Sequence, residues 1–275
     1  MFDVHVHAAP DIEPRLFDDE ATACAFEDAG AEGFVLKAHY DQTAGRAAAI
    51  ARRHRLRVAG GLALNSHVGG FNPAAVAAAL RMGARVIWMP TQDARTQAAA
   101  GLPSLCAHEP RAGASTYAAP PVDPSQEAPI RTILDLVAEA GAVLATGHLS
   151  VPEAAWVVDA AVAAGVGRIL LTHPSWVVPA MTAAEAAALA DRGALVEVTG
   201  YQLLHQEGMG AGGLAAFVRA VGERRVVLSS DAGQPTSPAA PAVLSRLVDE
   251  LAAEGIDRGV LAAMAAETPA ALVFG

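Results

Sequence analysis

The sequence predicts an α/β fold, a single-domain (β/α)8 TIM barrel. Its 275 residues are close to the roughly 250 that one such barrel needs. Eight short apolar runs rich in Val, Leu and Ile alternate with longer segments of helical spacing, as expected for strands and helices around a buried parallel sheet. Eight strand–helix units favour a closed barrel over an open doubly wound sheet.

Each apolar run is a predicted strand, because such runs are short and bounded by turn residues. The predicted strands are Phe2–Ala8, Gly33–His39, Arg57–Asn65, Arg85–Pro90, Ala142–His148, Arg168–His173, Ala194–Thr199 and Arg225–Ser230.

Helices are predicted between most pairs of strands. They cover Asp18–Ala29, Ala44–His54, Pro73–Met82, Pro129–Ala140, Val151–Ala164, Thr182–Asp191, Gly213–Val221 and Pro238–Glu254, with a closing helix over Asp257–Val273. Glycines stand where several of these helices should end, as at Gly30 and Gly141, and glycine is common just past a helix C-terminus.

Residues 94–126 interrupt the even spacing with a segment rich in Pro, Gly, Ala and Ser after the fourth strand. Loops of this length are uncommon in compact domains and often functional. The segment should lie over the C-terminal face of the barrel, where either a lid or a floppy insertion fits its composition. No linker divides the chain, so we expect one domain over residues 1–275.

Composition favours a small-molecule substrate. The formal net charge of −10 argues against nucleic acid or an anionic membrane surface as the main partner, since both require a basic face. No apolar stretch reaches the roughly 18 residues of a membrane span. A homo-oligomer, most simply a homodimer, is the default expectation for a soluble protein.

A cytoplasmic location is expected from two features. Cys24 and Cys106 lie far apart and outside any C-x-x-C pair, which indicates reduced thiols. Met1 leads directly into the first predicted strand, so we expect no secretion signal at this end.

The strongest functional signal is the run Asp3-Val4-His5-Val6-His7 on the first strand. Residues two apart in a strand point to the same side, so His5 and His7 should face the barrel interior together. Neutral imidazoles in such a pair can bind one transition metal. By itself the pair also fits two hydrogen-bonded core histidines.

Three later strands end in further candidate ligands. The fifth ends at His148, the sixth at His173, and Asp231 directly follows the eighth. Active sites of these barrels lie on the face where the strands end. These side chains should therefore converge with His5 and His7 in one metal site.

This pattern resembles the amidohydrolase superfamily, and the Asp-x-His-x-His-x-Ala-Pro opening resembles an uncharacterised branch of it. The resemblance covers essentially the whole chain. It implies one or two divalent ions, with His5 and His7 on the more buried ion and His148 and His173 on the more exposed one. Asp231 would bind metal and accept a proton from bound water, whose pKa a divalent ion lowers towards about 7.

The fourth strand lacks the residue that bridges two ions in the two-metal members, a carboxylated lysine or a glutamate. Lys37 instead ends the second strand and should point inward with His39. A buried lysine needs a partner or a chemical change. Three roles stay open for it: a carboxylated, metal-bridging Lys37 that acts in catalysis, a contact to an anionic substrate, or a salt bridge to Asp231. A shifted strand register would instead let it reach solvent.

Other polar residues at strand ends are predicted to contact substrate. His39 ends the second predicted strand, Tyr40 follows it, and Asn65 ends the third. Loop residues on this face commonly bind substrate.

The resemblance implies a metal-dependent hydrolase that uses metal-activated water on a small amide, cyclic amide, lactone or ester. Phosphoester hydrolysis on the same metals and single-metal, non-oxidative decarboxylation are the alternatives, and a non-catalytic metal-binding barrel is a third. Zinc suits the histidine-rich ligand set best, although Mn2+, Fe2+ or Ni2+ would accept the same ligands.

Overall fold

Eight parallel strands form the sheet of this protein, in the chain order β1 to β8. The structure is a computed structural model that describes residues 1–101 and 116–275. The strands are β1 Phe2–Val6, β2 Gly33–Leu36, β3 Arg57–Ala63, β4 Val86–Trp88, β5 Val143–Ala145, β6 Ile169–Leu171, β7 Ala194–Thr199 and β8 Val226–Ser229. This architecture confirms the predicted (β/α)8 barrel.

Helices connect the strands and surround the barrel. They are α1 Asp19–Asp28, α2 Ala44–Ala51, α3 Pro73–Arg81, α4 Arg95–Ala99, α5 Glu127–Ala140, α6 Val151–Ala163, α7 Ala183–Ala190, α8 Gly200–His205, α9 Gly210–Val221, α10 Ala240–Ala253, α11 Arg258–Ala262 and α12 Thr268–Phe274. A π-helical turn, Ala263–Glu267, joins the last two. Within the described ranges, no helix has the length and apolar character needed to cross a lipid bilayer.

The barrel closes between its first and last strands. Val6 and Ala232 form a parallel bridge, the amide of His7 donates to the carbonyl of Ala232 at 2.8 Å, and that of Asp231 donates to the carbonyl of His5 at 2.9 Å. These bonds hold the loop after β8 beside the end of β1, and so set Asp231 against the two histidines of β1.

The inside of the barrel is filled from its N-terminal end. Side chains of the strands and of α12 form one buried cluster, which contains Val4, Val35, Trp88 and Val273. The ring of Phe2 packs edge-on against Phe274 at 5.6 Å. Because apolar packing occupies this end, the polar interior positions are confined to the C-terminal end of the strands, where barrel active sites form.

All eight predicted strands are present, but most end earlier than predicted. His7, Lys37, His148, His173 and Asp231 all lie just past the ends of their strands. The helices α4 and α8 were not predicted, since both are short and their sequences carry no clear apolar period.

The described parts of segment 94–126 are tied to the barrel. Ala94 bridges Tyr117, and Glu153 of α6 accepts the amide of Ala119 at 2.7 Å and the hydroxyl of Thr96 at 3.3 Å. Its centre, residues 102–115, lies outside the described residues, as do Cys106 and much of the predicted lid. The lid therefore stays a prediction.

Candidate metal centre

Five histidines form a closed ring at the C-terminal mouth of the barrel. Their ring centroids lie 5.3 Å (His5–His7), 4.9 Å (His7–His39), 6.2 Å (His39–His148), 5.0 Å (His148–His173) and 5.8 Å (His173–His5) apart. All five side chains are buried. Sequence-predicted residues at the ends of β1, β5 and β6 are thus brought together, and His39, which follows β2, completes the circle.

An irregularity in β1 sets the direction of its histidines. The pairing with β2 shifts between Asp3 and Val6. Phe2 and Val4 pack in the barrel interior, whereas Val6 and Ala8 pack outward against helices. A bulge-like shift changes the phase of the alternation, so His5 and His7 point inward although Val4 also does.

Asp231 meets the ring of histidines from the β8 side. Its Oδ1 lies 3.0 Å from His5 Nε2 and 3.4 Å from His7 Nε2, and its Oδ2 lies 4.0 Å from His173 Nε2. Ligand atoms of His5, His173 and Asp231 all lie within 4.8 Å of one another. Three such donors around one point are a chemically suitable set for a divalent transition metal.

The protonation states of the ring also suit a metal. Burial lowers the pKa of every ring histidine below its usual value, to about 3 for His173. The imidazoles are therefore neutral at pH 7 and keep a lone pair for a ligand bond. The Nδ1 atoms of His7 and His173 are buried with no hydrogen-bond partner among the described residues. A buried imidazole that makes no hydrogen bond through one of its nitrogens is compatible with a role as a metal ligand.

Neighbouring residues orient two of the rings through their Nδ1 atoms. Glu197 Oε1 lies 3.0 Å from His5 Nδ1, and Gln97 Oε1 lies 3.0 Å from His148 Nδ1. Because each oxygen accepts the Nδ1 proton, Nε2 is left as the lone-pair nitrogen in both histidines, the arrangement common among histidine ligands.

Sequence reasoning missed Glu197 and Gln97, and it gave Asp3 of the first-strand motif no role of its own. Glu197 stands on β7 between two outward-packing valines, Val196 and Val198, and this lone carboxylate in an apolar strand was the available signal. It also accepts the hydroxyl of Ser229 at 2.7 Å and the amide of His173 at 3.0 Å. Gln97 lies on the short helix α4, where no pattern marked it.

Asp3 links the two strands that close the barrel. Its carboxyl group accepts the amides of His5 at 3.0 Å and of Ser230 at 3.1 Å. Burial raises the pKa of Asp3 to about 7, although these hydrogen bonds oppose the shift. The group therefore holds the backbone beneath His5 and beside Asp231.

Lys37 is the single lysine of the chain, and it lies inside the site. Its side chain is buried, with Nζ 2.9 Å from His5 Nε2 and 5.6 Å from the centre of the Trp88 ring. Burial lowers the pKa of this amine, while the charges of Asp231 and Glu197 oppose that shift. The register that would have taken it to solvent is wrong, and within the described residues no ion pair joins it to Asp231 within 4.0 Å.

Backbone strain coincides with the predicted ligands. His173 and Asp231 have positive φ angles of 26° and 49°, a region that residues other than glycine rarely occupy. Such strain costs about 1–3 kcal/mol per residue and tends to cluster at functional sites. Burial also raises the pKa of the Asp231 carboxyl, against the pull of the Lys37 charge.

The three predicted substrate contacts differ in their surroundings. His39 belongs to the ring, with its Nδ1 2.9 Å from Thr91 Oγ1, and the Tyr40 hydroxyl donates to Asp93 Oδ1 at 2.9 Å. Asn65 is fully buried. Its amide donates to the His39 carbonyl and to Thr91 and accepts two backbone amides, a bonding pattern that favours holding β2, β3 and β4 together at their ends. Substrate binding by the three stays a prediction.

Comparison with known families places the chain in one of them. Residues 1–197 match a family of unknown function, DUF6282. The chain belongs to this family. The matched part of this DUF6282 member contains His5, His7, Lys37, His148, His173 and Glu197, and it ends before Asp231. No curated protein matches the sequence.

Solved structures with the same fold are barrels of the amidohydrolase superfamily, as the sequence resemblance predicted. An amidohydrolase from Pseudomonas aeruginosa is 14% identical, with a TM-score of 0.63 over 99% of this chain and 94% of that one. An organophosphorus hydrolase from Deinococcus radiodurans is 15% identical, with a TM-score of 0.64 over 100% and 92%. A 2,6-dihydroxybenzoate decarboxylase is 11% identical, with a TM-score of 0.59 over 99% and 98%. At these identities the likeness establishes the shared fold.

Proposed function

We propose that this DUF6282 protein is a metal-dependent hydrolase that uses activated water to cleave a small amide, cyclic amide, lactone or ester. The observation that carries the proposal is the closed ring of five buried, neutral histidines with the Asp231 carboxylate against it. Simple core packing would not gather five imidazoles at the mouth of a barrel together with an aspartate whose backbone is strained.

In this proposal His5, His7, His148, His173 and Asp231 hold one or two divalent ions. A bound divalent ion supplies Lewis acidity, which lowers the pKa of water and polarises a carbonyl or phosphoryl oxygen. Zinc is the expected metal, with Mn2+, Fe2+ or Ni2+ compatible with the same ligands.

Asp231 is the proposed proton carrier. Its carboxyl group is nearly buried, next to two histidines, and burial raises its pKa, so it can accept a proton from water and return it to a leaving group. Lys37 either carries a carbamate or contacts an anionic part of the substrate. Both roles are compatible with an amine buried 2.9 Å from His5 Nε2.

One observation favours a second candidate, a single-metal decarboxylase. The tight donor group contains three residues, His5, His173 and Asp231, which is enough for one ion, and a decarboxylase is among the barrels of similar fold. Phosphoester hydrolysis on the same centre is a further alternative, given the organophosphorus hydrolase of similar fold. We also propose that the protein is cytoplasmic and forms homo-oligomers.

Metal analysis of the purified protein with His5→Ala and Lys37→Met variants tests the proposal. Close to two ions per chain, falling towards one without Lys37, supports a carbamate-bridged hydrolase. One ion that is lost with His5 but insensitive to Lys37 directs screening to single-metal hydrolases and to carbon dioxide release. Absence of metal from the wild-type protein contradicts the site.

Asp231→Asn tests the catalytic role separately from metal binding. Once a substrate is found, we expect turnover to fall by about 10²–10⁴ on loss of the proton carrier, with a modest loss of metal. Unchanged turnover in this variant sinks the assignment of Asp231.

A further inference from the structure

A cavity opens at the barrel mouth, beside the candidate metal centre. It has a volume of about 270 Å3 and lies between helix α8 and the loops that follow β1 and β8, with Arg15, Tyr201, His205 and Gln234 in its wall. Gln234 donates its side-chain amide to the carbonyl of Asp231 at 2.9 Å, and the amide of Tyr201 donates to the Ser230 carbonyl at 2.9 Å. The cavity is thus joined to the backbone that carries the catalytic carboxylate.

Arg15 is the distinctive residue of this wall. Its side chain is only 1% exposed, yet its sole ion pair among the described residues is with Asp11. Nε donates to Asp11 Oδ2 at 2.8 Å and Nη2 lies 2.7 Å from the same oxygen, but Nη2 makes no hydrogen bond of acceptable geometry. A guanidinium has five N–H donors, so one carboxylate oxygen leaves most of them without an acceptor.

The loop that carries Arg15 is held in place by backbone bonds. The amide of Leu16 donates to the carbonyl of Gly233, and that of Ala9 donates to the carbonyl of Phe17, both at 2.9 Å. The first bond attaches the Arg15 loop to the loop that follows Asp231. Arg15 therefore reaches its position without needing a ligand to order it.

The charge of Arg15 is directed at the site. Burial is the main cause of the lowered pKa values of His5, His7 and His39, and the nearby Arg15 charge adds to it; the same charge opposes the burial that raises the pKa of Asp231. The other charged residue in the cavity wall is Glu13, which is partly exposed and so solvated. Burial lowers the pKa of His205, whose Nε2 lies 2.9 Å from the Ser237 hydroxyl. Arg15 is thus the buried cation of this wall.

We propose that this cavity binds an oxyanion of the substrate, a carboxylate or a phosphoryl group, through the guanidinium of Arg15. The planar fork of arginine donates two parallel hydrogen bonds to such a group, which an ammonium cannot do. The inference rests on the proposed function, because it places the reacting bond at the histidine ring and the anionic end of the same substrate beside Arg15. It restricts the substrate class to small anionic molecules.

Calorimetric titration of the full-length protein as purified, with inorganic phosphate and with acetate, tests the subsite. We expect Arg15→Met to weaken binding about tenfold or more, because hydrogen bonds to charged groups are the strong ones. Arg15→Lys keeps the charge but loses the fork, and should fall between Arg15→Met and the wild type. The matched control is Arg131→Met, since Arg131 is an exposed residue paired with Glu127.

The variants also separate this subsite from anion binding at a metal. Phosphate and acetate binding equal in wild type, Arg15→Met and Arg15→Lys overturns the subsite, since metal-held anions do not need Arg15. Loss confined to one of the two anions identifies which group the cavity takes. Thermal unfolding checks that each variant is folded. If Arg15→Met does not fold, the comparison of Arg15→Lys with the wild type tests the subsite. Metal content is measured in parallel: a metal-free wild type contradicts the proposed function, while the Arg15 comparison still decides the subsite.

Discussion

One buried carboxylate, Glu197, holds two of the ring histidines in place. Glu197 contacts His5 through Oε1 and the backbone of His173 through Oε2, so one side chain positions two of the proposed ligands. Removing a carboxylate that orients a metal-binding histidine typically weakens metal affinity by about 10–100-fold. Its effect should therefore be visible without any knowledge of the substrate.

We expect Glu197→Gln to weaken metal retention by about 10–100-fold, because an amide is a poorer acceptor for the Nδ1 proton of His5. Equilibrium dialysis against a graded series of chelator concentrations measures this. Glu139→Gln is the control, since Glu139 is exposed on α5. Equal retention in both variants would show that Glu197 does not position the ligands.

Lys37 offers an unusually clean test of carboxylation, because the chain has no second lysine. A carbamate forms when the neutral amine attacks carbon dioxide and releases a proton, and burial lowers the pKa of Lys37 in the direction that favours this. We expect one 13C carbamate resonance after equilibration with 13C-bicarbonate, and its loss in Lys37→Met. A spectrum unchanged by Lys37→Met rules out the carbamate and favours the anion contact.

At the scale of elements, the site depends on how tightly the chain turns after each strand. Gly147 lies between β5 and His148 with φ +59°, and a Cβ there would stand 2.3 Å from the carbonyl oxygen of Met89. The close approach of these backbones fixes the direction in which His148 leaves its strand. Only glycine fits both the conformation and the space.

Gly147→Ala should therefore destabilise the protein more than an ordinary substitution at positive φ. Gly141 has the same φ of +59° with nothing within 4 Å of its added Cβ, so Gly141→Ala isolates the conformational cost of about 1–2 kcal/mol. We expect Gly147→Ala to lower the free energy of unfolding, measured in urea, by at least about 2 kcal/mol more than Gly141→Ala does. A clash with buried backbone is among the most destabilising effects of a substitution. Gly147→Ala should also lose metal, whereas Gly141→Ala should not. Equal losses of stability would contradict the close contact.

For the molecule as a whole, burying so many histidines makes stability depend on pH. Their pKa values are lowered in the folded state, so below pH 6.5 the unfolded chain binds more protons and stability falls as the pH falls. The raised pKa values of Asp3 and Asp231 act in the opposite sense. The five histidines outnumber these two carboxyl groups, so the free energy of unfolding should decrease as the pH falls.

We expect the urea midpoint to fall between pH 6.5 and pH 5, each buried imidazole contributing up to about 1.4 kcal/mol per pH unit. His148→Gln should flatten this dependence by removing one such group. His54→Gln is the control, because hydrogen bonds to Glu27 and Glu20 raise the pKa of His54 instead of lowering it. A midpoint that is independent of pH over this range would contradict the neutral, buried ring.

The sequence by itself determined the barrel, its eight strands and the strand ends that carry His5, His7, Lys37, His148, His173 and Asp231. These are readable because strand periodicity and parallel topology are local or repeated features, and the C-terminal ends of parallel strands must meet at one face. The tertiary structure decided which groups touch: Glu197 against His5, Gln97 against His148, Lys37 beside His5 and Arg15 in a wall built by two loops and helix α8. Those contacts join residues far apart in the chain, and their partners follow from loop paths and side-chain packing, for which no local pattern exists.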